Sequence, residues 1–448
     1  MNKISVKEKI NYGMGDLACN TIFTVISSYL MFFYTDIAGI GLGAIGIIMS
    51  VSRIIDAITD PMMGIAVDKT KTKYGKARPY VLWMAIPFAV ISVLMFWSPD
   101  IGKNGKFIYA LITYILFCCV YTALNIPYSA MLSNLTDDVG ERLSFNMFKT
   151  LGSQIGGFIA TGVTLSLVAL LGAGNQKKGF VLCIGLYGVC AVFLLFSCFK
   201  NTKERIIPVE DKTSIVDSLK AGLKNRPWII TCILCFLGFT EIIIKGSSAM
   251  YFAKYYLEQE STASVLLSIT NLVAIPLALV TPGIAKKLGK RNCVVIGNTL
   301  LAIGTLCVGF AGKNIPMIIL FTVVSSIGSG MAISMGFVMI ADTIDYSEWM
   351  TGIRAQGFFT AVAGFMVKLG MAVAGVVSAA VMARGGYVEN TVQSSSSLAA
   401  IRANYIWIPA VIAVIAIVLS LFYDLDKKYN KIIGELHERR QKKEEANA

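Results

Sequence analysis

Long apolar runs alternate with short polar loops along almost the whole chain. Each run is about twenty residues long, enough for an α-helix to cross a hydrocarbon core of about 30 Å. The composition agrees, because 55% of the 448 residues are hydrophobic and only 15% are charged. The sequence therefore predicts an all-α polytopic membrane protein with twelve spans, at 11–35, 41–67, 80–98, 107–133, 146–172, 179–199, 228–257, 262–283, 291–311, 315–341, 358–382 and 404–423.

A polar interruption at 200–227 divides the chain into two six-helix bundles, 1–199 and 228–423, and a charged tail, 424–448, follows. A repeated element supports this division. A short loop with glycine and basic residues follows the second span of each half, after Gly64 and after Gly283. These loops resemble the loop signature of the major facilitator superfamily. That resemblance implies parallel repeats with a binding site between them at mid-membrane.

The net charge of +13 does not indicate a nucleic-acid partner, because the basic residues follow the membrane topology. Of the 40 Lys and Arg residues, 29 fall on the side that carries both termini and 8 on the other side. Cytoplasmic loops carry such an excess. The sequence predicts a lipid bilayer as the partner and cytoplasmic N- and C-termini.

Several functional classes are not indicated. His437 is the only histidine, no nucleophile–base constellation is evident, and no G-x-x-x-x-G-K-[S/T] motif occurs. We therefore expect no enzyme activity, no cofactor and no use of ATP.

Charged residues inside the predicted spans point to function, since each costs about 2.5–3.5 kcal/mol on insertion scales. Arg53, Asp56 and Asp60 share one face of the second span. An internal Arg53–Asp56 ion pair would only lock helices together. It would not explain why the span also carries Asp60. Two carboxylates one turn apart can instead take up Na⁺ or share a proton, because either cation relieves their repulsion. The pattern favours a coupling-cation site, with Na⁺ at Asp56 and Asp60 if sodium drives transport.

Two further groups of charges are open to more than one interpretation. Lys368 has no acidic residue nearby in its own span, so its partner lies on another helix. Asp56 and Asp60 are the natural candidates, with structural locking as the alternative. Glu241 and Lys245 are four residues apart on one helix, which favours mutual neutralisation over contact with substrate.

Neutral and acidic polar side chains indicate a polyhydroxylated ligand, because each sugar hydroxyl both donates and accepts hydrogen bonds. Asp16 and Asn20 are one turn apart in the first span, and Tyr121 and Asn125 are one turn apart in the fourth. Polar contacts between helices are the alternative for each of these residues. Asp16 is thus a candidate either for substrate contact or for an ion pair.

Several motifs, in the expected order from residue 12 to residue 368, are similar to those of the glycoside–pentoside–hexuronide:cation symporters. The resemblance implies a major facilitator fold, cation-coupled sugar uptake and a bacterial inner membrane. The motifs are Tyr12-Gly-Met-Gly-Asp16, Phe33-Tyr34-Thr35-Asp36, Arg53-Ile-Ile-Asp56-Ala-Ile-Thr-Asp60-Pro61-Met-Met-Gly64, Tyr74-Gly-Lys-Ala-Arg78-Pro79, Asn125-Ile-Pro-Tyr128, Ala341-Asp342-Thr-Ile-Asp345-Tyr346-Ser-Glu348-Trp349 and Gly352-Ile-Arg354-Ala.

The resemblance also implies roles for single residues. The family's cation-site positions correspond to Asp56, Asp60 and Thr122. Lys368 corresponds to the family's lysine that links the cation and sugar sites, and Lys149, with one gap allowed, to a basic residue that contacts sugar. The family's cytoplasmic gating charges correspond to Asp342, Asp345 and Arg354.

This chain departs from the family's galactoside carrier at three sugar positions. Two carboxylates are replaced by Asn20 and Asn125, and a stacking tryptophan by Ser129. The galactoside specificity therefore does not carry over. The basic residues Lys149 and Lys245 slightly favour a hexuronide or another acidic glycoside.

The sequence thus predicts a symporter, functional as a monomer, that couples entry of Na⁺ or H⁺ to sugar uptake by alternating access, with Li⁺ as a third candidate cation. Two alternatives keep the helices but change the function. One is a cation-coupled transporter of lysolipids or other amphiphiles, and the other is a membrane sugar sensor that does not transport.

Overall fold

A computed structural model describes residues 4–136, 138–205, 215–352 and 355–447. Its elements are helical within these ranges, apart from one isolated β-bridge between Thr72 and Gly75. The helices are α1 (Val6–Phe32), α2 (Leu42–Lys69), α3 (Arg78–Met95), α4 (Gly102–Leu135), α5 (Val139–Gly162), α6 (Thr164–Gly172), α7 (Gln176–Asn201), α8 (Ile215–Lys224), α9 (Arg226–Tyr251), α10 (Thr262–Leu288), α11 (Lys290–Phe310), α12 (Ile315–Thr351), α13 (Gln356–Arg384), α14 (Ser395–Arg402), α15 (Ile408–Leu421) and α16 (Tyr429–Asn447). Single π-helical turns extend α1, extend α9 and join α14 to α15, at Phe33–Ile37, Phe252–Tyr256 and Ala403–Trp407.

The all-helical membrane fold predicted from the sequence is confirmed. Nine helices within the described ranges are long and apolar enough to cross a membrane, or ten if the bent pair α5 and α6 counts as one span. Shorter apolar stretches at Leu42–Ser52, Ile58–Val67 and Thr262–Leu277 accompany them. These counts are compatible with twelve spans. The fifth predicted span, 146–172, is not one straight helix, because α5 ends at Gly162 and α6 begins at Thr164.

The helices group into two compact units. The first comprises residues 1–209, 246–272 and 375–402, and the second comprises 210–245, 273–374 and 403–448. In the first unit α1 packs against α5 and α7, and α4 packs against α2 and α3. In the second unit α11 packs against α12 and α15. The boundaries of these units differ from those of the predicted bundles, and the division into two six-helix bundles remains a prediction.

Each unit contains a helix pair that meets along glycines. In the first unit a Cβ added at Gly156 of α5 would lie 2.7 Å from the carbonyl oxygen of Leu17 in α1. In the second unit a Cβ at Gly304 of α11 would lie 2.6 Å from the backbone nitrogen of Ser325 in α12. Small residues let helix backbones approach closely, which is a common way to pack helices in a membrane. These contacts fix which side chains of neighbouring helices face each other.

A half-buried carboxylate organises the basic loop between α2 and α3. Glu204 accepts hydrogen bonds from the backbone N–H groups of Lys76, Ala77 and Arg78 at 2.9, 2.8 and 2.7 Å. These N–H groups lie at the beginning of α3, where a helix has free donors and favours negative charge. Glu204 therefore anchors this loop to the segment that follows α7.

Candidate functional site

The predicted cation-site residues lie in the first unit, on α2 and α4. Asp56 is buried at 7% exposure, and Asp60 lies half-buried one turn further along α2. The Thr122 hydroxyl of α4 donates to Asp60 Oδ1 at 3.0 Å. The structure thus brings Asp60 and Thr122 together, whereas the side chain of Arg53 lies outside the described residues.

Oxygen ligands of this kind suit hard cations. Within the described ranges no three His, Cys, Asp or Glu side chains lie close enough together to hold a metal ion. A cation at Asp56 and Asp60 therefore needs further oxygen ligands from hydroxyl groups, backbone carbonyls or water. Thr122 is one hydroxyl in position to contribute.

The sugar candidates of α1 and α4 are linked by aromatic stacking. Phe23 of α1 stacks on Tyr121 of α4, with ring centroids 5.1 Å apart. The Asn125 amide donates to the Tyr121 hydroxyl at 3.2 Å, and the Asn20 amide donates to the backbone carbonyl of Asp16 at 3.2 Å. The Tyr121 ring also stacks on Phe117, with ring centroids 5.7 Å apart.

Lys149 of α5 reaches towards α4. Its ammonium group donates to the Ser129 hydroxyl at 3.3 Å and lies 5.5 Å from the ring centroid of Tyr128. Tyr128 in turn stacks on Tyr12 at 4.8 Å, and each of these two hydroxyls donates to the other residue's backbone carbonyl. This tyrosine pair locks α1 to α4 beside the lysine. Sequence reasoning quoted both tyrosines within motifs but did not assign them this function.

Asp16 of α1 is buried at 5% exposure near Lys149. Ser153 of α5 is a second polar neighbour of the Asp16 carboxylate. The α1–α5 contact at Gly156 brings these side chains opposite each other. The charged sugar candidates on α1 and α5 therefore both lie in the first unit.

Glu241, Lys245 and Lys368 lie in the second unit. Glu241 is 2% exposed and accepts a hydrogen bond from the Ser329 hydroxyl at 3.1 Å. The Lys245 ammonium group donates to the Ser325 hydroxyl at 2.7 Å. Both side chains of this i,i+4 pair are thus bound by serines of α12, a contact that sequence reasoning missed. Lys368 lies half-buried on α13, and its link to the cation site remains a prediction.

The predicted gating carboxylates also lie in the second unit, at the end of α12. Asp342 is 4% exposed and forms an ion pair with Lys290, the first residue of α11. Asp345 accepts a hydrogen bond from the Tyr429 hydroxyl at 3.0 Å. Arg354, the third predicted gating residue, lies outside the described residues. Neither Lys290 nor Tyr429 was a sequence candidate.

The tail is bound to these same helices. Glu435 of α16 accepts a hydrogen bond from the Trp349 indole at 2.6 Å, and Arg439 donates to the Trp349 carbonyl at 2.9 Å. Ile432 and Leu436 are each 3% exposed and pack into an apolar cluster with residues of α9, α11 and α12. The charged tail predicted from the sequence thus contains the helix α16, which packs against the protein through a buried apolar face.

A second buried carboxylate network was missed by sequence reasoning. The Asp36 carboxylate, whose side chain is 1% exposed, accepts hydrogen bonds from Lys254 at 2.8 Å, from Tyr387 at 2.5 Å and from Tyr255. Asn390 donates to the Asp36 carbonyl at 2.6 Å. The network joins the end of α1 to segments more than 200 residues away, all within the first unit.

These observations define a class of protein, one made of membrane-spanning helices with buried polar sites. The pattern of the MFS/sugar transport protein family matches residues 11–427. The chain belongs to this family, which is that of the glycoside–pentoside–hexuronide:cation symporters, so the class is a transporter rather than an enzyme.

Relatives match over nearly the full length. The chain is 38% identical to the isoprimeverose transporter of Lactiplantibacillus pentosus, covering 98% of this chain and 92% of the relative. It is 31% identical to the putative glycoside/cation symporter YagG of Escherichia coli, covering 100% and 98%. A crystal structure of a D-xylose–proton symporter aligns with a TM-score of 0.71 at 15% identity, over 94% of this chain and 98% of that one, which shows the shared fold.

Proposed function

We propose that this protein is a secondary active symporter that couples entry of a cation to uptake of a sugar by alternating access. The observation that supports it most is the oxygen cluster of Asp56, Asp60 and Thr122 in a chain that resembles named sugar symporters along its whole length. The cation is Na⁺ or H⁺, with Li⁺ as a third candidate. The substrate is a glycoside, pentoside or hexuronide.

The mechanism follows from the charges. With no cation bound, Asp56 and Asp60 repel each other in a site of low dielectric constant, and a bound cation removes that repulsion. The neighbouring side chains of α1, α4 and α5 then bind sugar, through Asn20, Tyr121, Asn125 and Lys149, and Lys368 links the two sites. The gate is formed by Asp342, Asp345 and Arg354, for which Lys290 and Tyr429 are additional partners. Cation and sugar cross together because the cation stabilises the sugar-binding arrangement.

The proposed setting is a bacterial inner membrane, with the protein functional as a monomer and both termini in the cytoplasm. The two bundles are 1–199 and 228–423, joined by the cytoplasmic segment 200–227 and followed by the tail 424–448. The excess of basic residues in alternate loops supports this orientation. A fusion of alkaline phosphatase to the C-terminus should be inactive, and an active fusion would contradict the orientation.

The substitution Asp60→Asn tests the cation site. The purified protein in liposomes is assayed with labelled isoprimeverose, methyl glucoside and methyl glucuronide, and the sugar with the highest wild-type uptake is used. Asp60→Asn should lower cation-stimulated uptake at least tenfold, because the amide cannot supply the negative charge. Asp100→Asn is the matched control, since the Asp100 side chain is 89% exposed and lies outside the site. Full concentrative uptake by Asp60→Asn would refute the assignment.

A further inference from the structure

Asp16 is a buried carboxylate to which the proposed mechanism gives no role. It is 5% exposed, and its α5 neighbours are Lys149 and Ser153. A charge inside a membrane is costly, so such a residue either contributes to a site or holds helices together. The surroundings of Asp16 distinguish these two roles.

The face of α1 that carries Asp16 also carries a sugar candidate of α1 and an aromatic residue that contacts a sugar candidate of α4. Asp16, Asn20 and Phe23 follow each other at spacings of four and three residues, which places them along one side of the helix. Phe23 contacts the Tyr121 ring. From α5, Lys149 extends to Ser129 of α4. Asp16 thus lies on the face that meets the sugar candidates, beside the lysine.

A sugar bound among these side chains needs a group that accepts hydrogen bonds from its hydroxyls. The Lys149 ammonium group can only donate, whereas each sugar hydroxyl must also donate to something. The amide groups of Asn20 and Asn125 each donate a hydrogen bond within the protein, and their side-chain oxygens can offer only uncharged acceptors. Asp16 adds a negatively charged acceptor, and hydrogen bonds to an ionised group are roughly twice as strong as neutral ones.

We propose that Asp16 is a specificity-determining residue of the sugar site, whose carboxylate accepts a hydrogen bond from one hydroxyl of an uncharged sugar while Lys149 donates to a neighbouring hydroxyl. This inference rests on the proposed function and narrows its substrate class. The Asp16 charge offsets that of Lys149, so this part of the site has no excess positive charge to attract an acidic sugar. The carboxylate of a hexuronide would also meet a like charge at Asp16, which disfavours its binding. The lysine therefore does not imply an acidic substrate.

The test compares wild type with Asp16→Asn in liposomes, using counterflow of the same three labelled sugars. Methyl glucoside and methyl glucuronide differ only in oxidation at one carbon, so their ratio isolates the effect of charge. Wild type should prefer isoprimeverose and methyl glucoside to the glucuronide. Asp16→Asn should lower the apparent affinity for the uncharged sugars at least tenfold and raise the ratio of glucuronide to glucoside uptake at least tenfold. Asp100→Asn should leave that ratio unchanged.

Two results would overturn the inference. One is a wild-type preference for the glucuronide. The other is an Asp16→Asn variant with the wild-type ratio of the two sugars, whether transport is intact or reduced equally for all three. Equal reduction is what a purely structural contact between α1 and α5 would give.

Cation dependence separates this inference from the proposed function. Asp16→Asn leaves Asp56, Asp60 and Thr122 in place, so its half-maximal cation concentration for uptake should match that of wild type. Wild-type uptake that does not respond to any of the three cations would contradict the proposed function itself.

Discussion

At the scale of single residues, the hydroxyl of Thr122 is a neutral group in contact with the proposed cation site. It donates to Asp60 Oδ1 at 3.0 Å and is 2% exposed. Thr122→Ala removes this oxygen and a potential cation ligand, so the cation concentration for half-maximal uptake should rise about three- to tenfold, or about 0.7–1.4 kcal/mol. Thr122→Ser keeps the hydroxyl and should remain close to wild type. Equal impairment of the two variants would mean that the methyl group, rather than the hydroxyl, matters, and wild-type behaviour of both would contradict a role for Thr122.

Sequence reasoning found most charged candidates at this scale but few of their partners. Asp56 and Asp60 stand out because a carboxylate in an apolar span needs a reason, whereas Asp342 was found through the family resemblance. Their partners do not stand out in the same way. Lys290 belongs to a basic loop, which the excess of basic residues in cytoplasmic loops already explains. Tyr429 belongs to a polar tail. Pairing across 52 and 84 residues depends on tertiary packing, which no local pattern records.

At the scale of elements, the glycine contact between α1 and α5 holds the sugar candidates of these two helices in place. A Cβ at Gly156 would lie 2.7 Å from the Leu17 carbonyl and 2.9 Å from the Thr21 hydroxyl. Gly156→Val should therefore push the helices apart, lower the melting temperature in detergent and weaken sugar binding. Overpacking of this kind typically costs about 1–3 kcal/mol.

Gly185→Val is the matched control for this substitution. A Cβ at Gly185 of α7 would have no neighbour within 4 Å, so the same side chain should be tolerated there. If the Gly156 variant were as stable as the Gly185 variant and bound sugar equally well, α1 and α5 would not be held together as the structure indicates.

Hydropathy predicted where helices occur, because burial in lipid imposes a strong and local pattern. It did not predict how they end or which surfaces they cover. The break at Val163 and the π-helical turn at Phe33–Ile37 were not predicted. The docking of α16 depends on Ile432 and Leu436, two apolar residues in a highly charged segment.

At the scale of the whole molecule, the family and its fold could be predicted because ordered motifs extend along the chain, and both are confirmed. The polar network around Asp36 could not be predicted, since its members come from three separate segments. Asp36 was visible only as part of a motif. Its burial and its partners follow from the way distant segments fold into the first unit.

Coupling is also a property of the whole molecule, and its size can be estimated. One positive charge moving down about 100 mV releases about 2.3 kcal/mol. At about 1.36 kcal/mol per factor of ten, this supports a sugar gradient of about fifty-fold without ATP.

Accumulation of labelled sugar in liposomes that contain only this protein measures that coupling directly. With equal cation concentrations on both sides and a membrane potential of about 100 mV, negative inside, sugar inside should exceed sugar outside severalfold and up to about fifty-fold, and an ionophore should abolish the excess. Sugar that only equilibrates across the membrane, at a rate that does not depend on any of the three cations, would contradict the account.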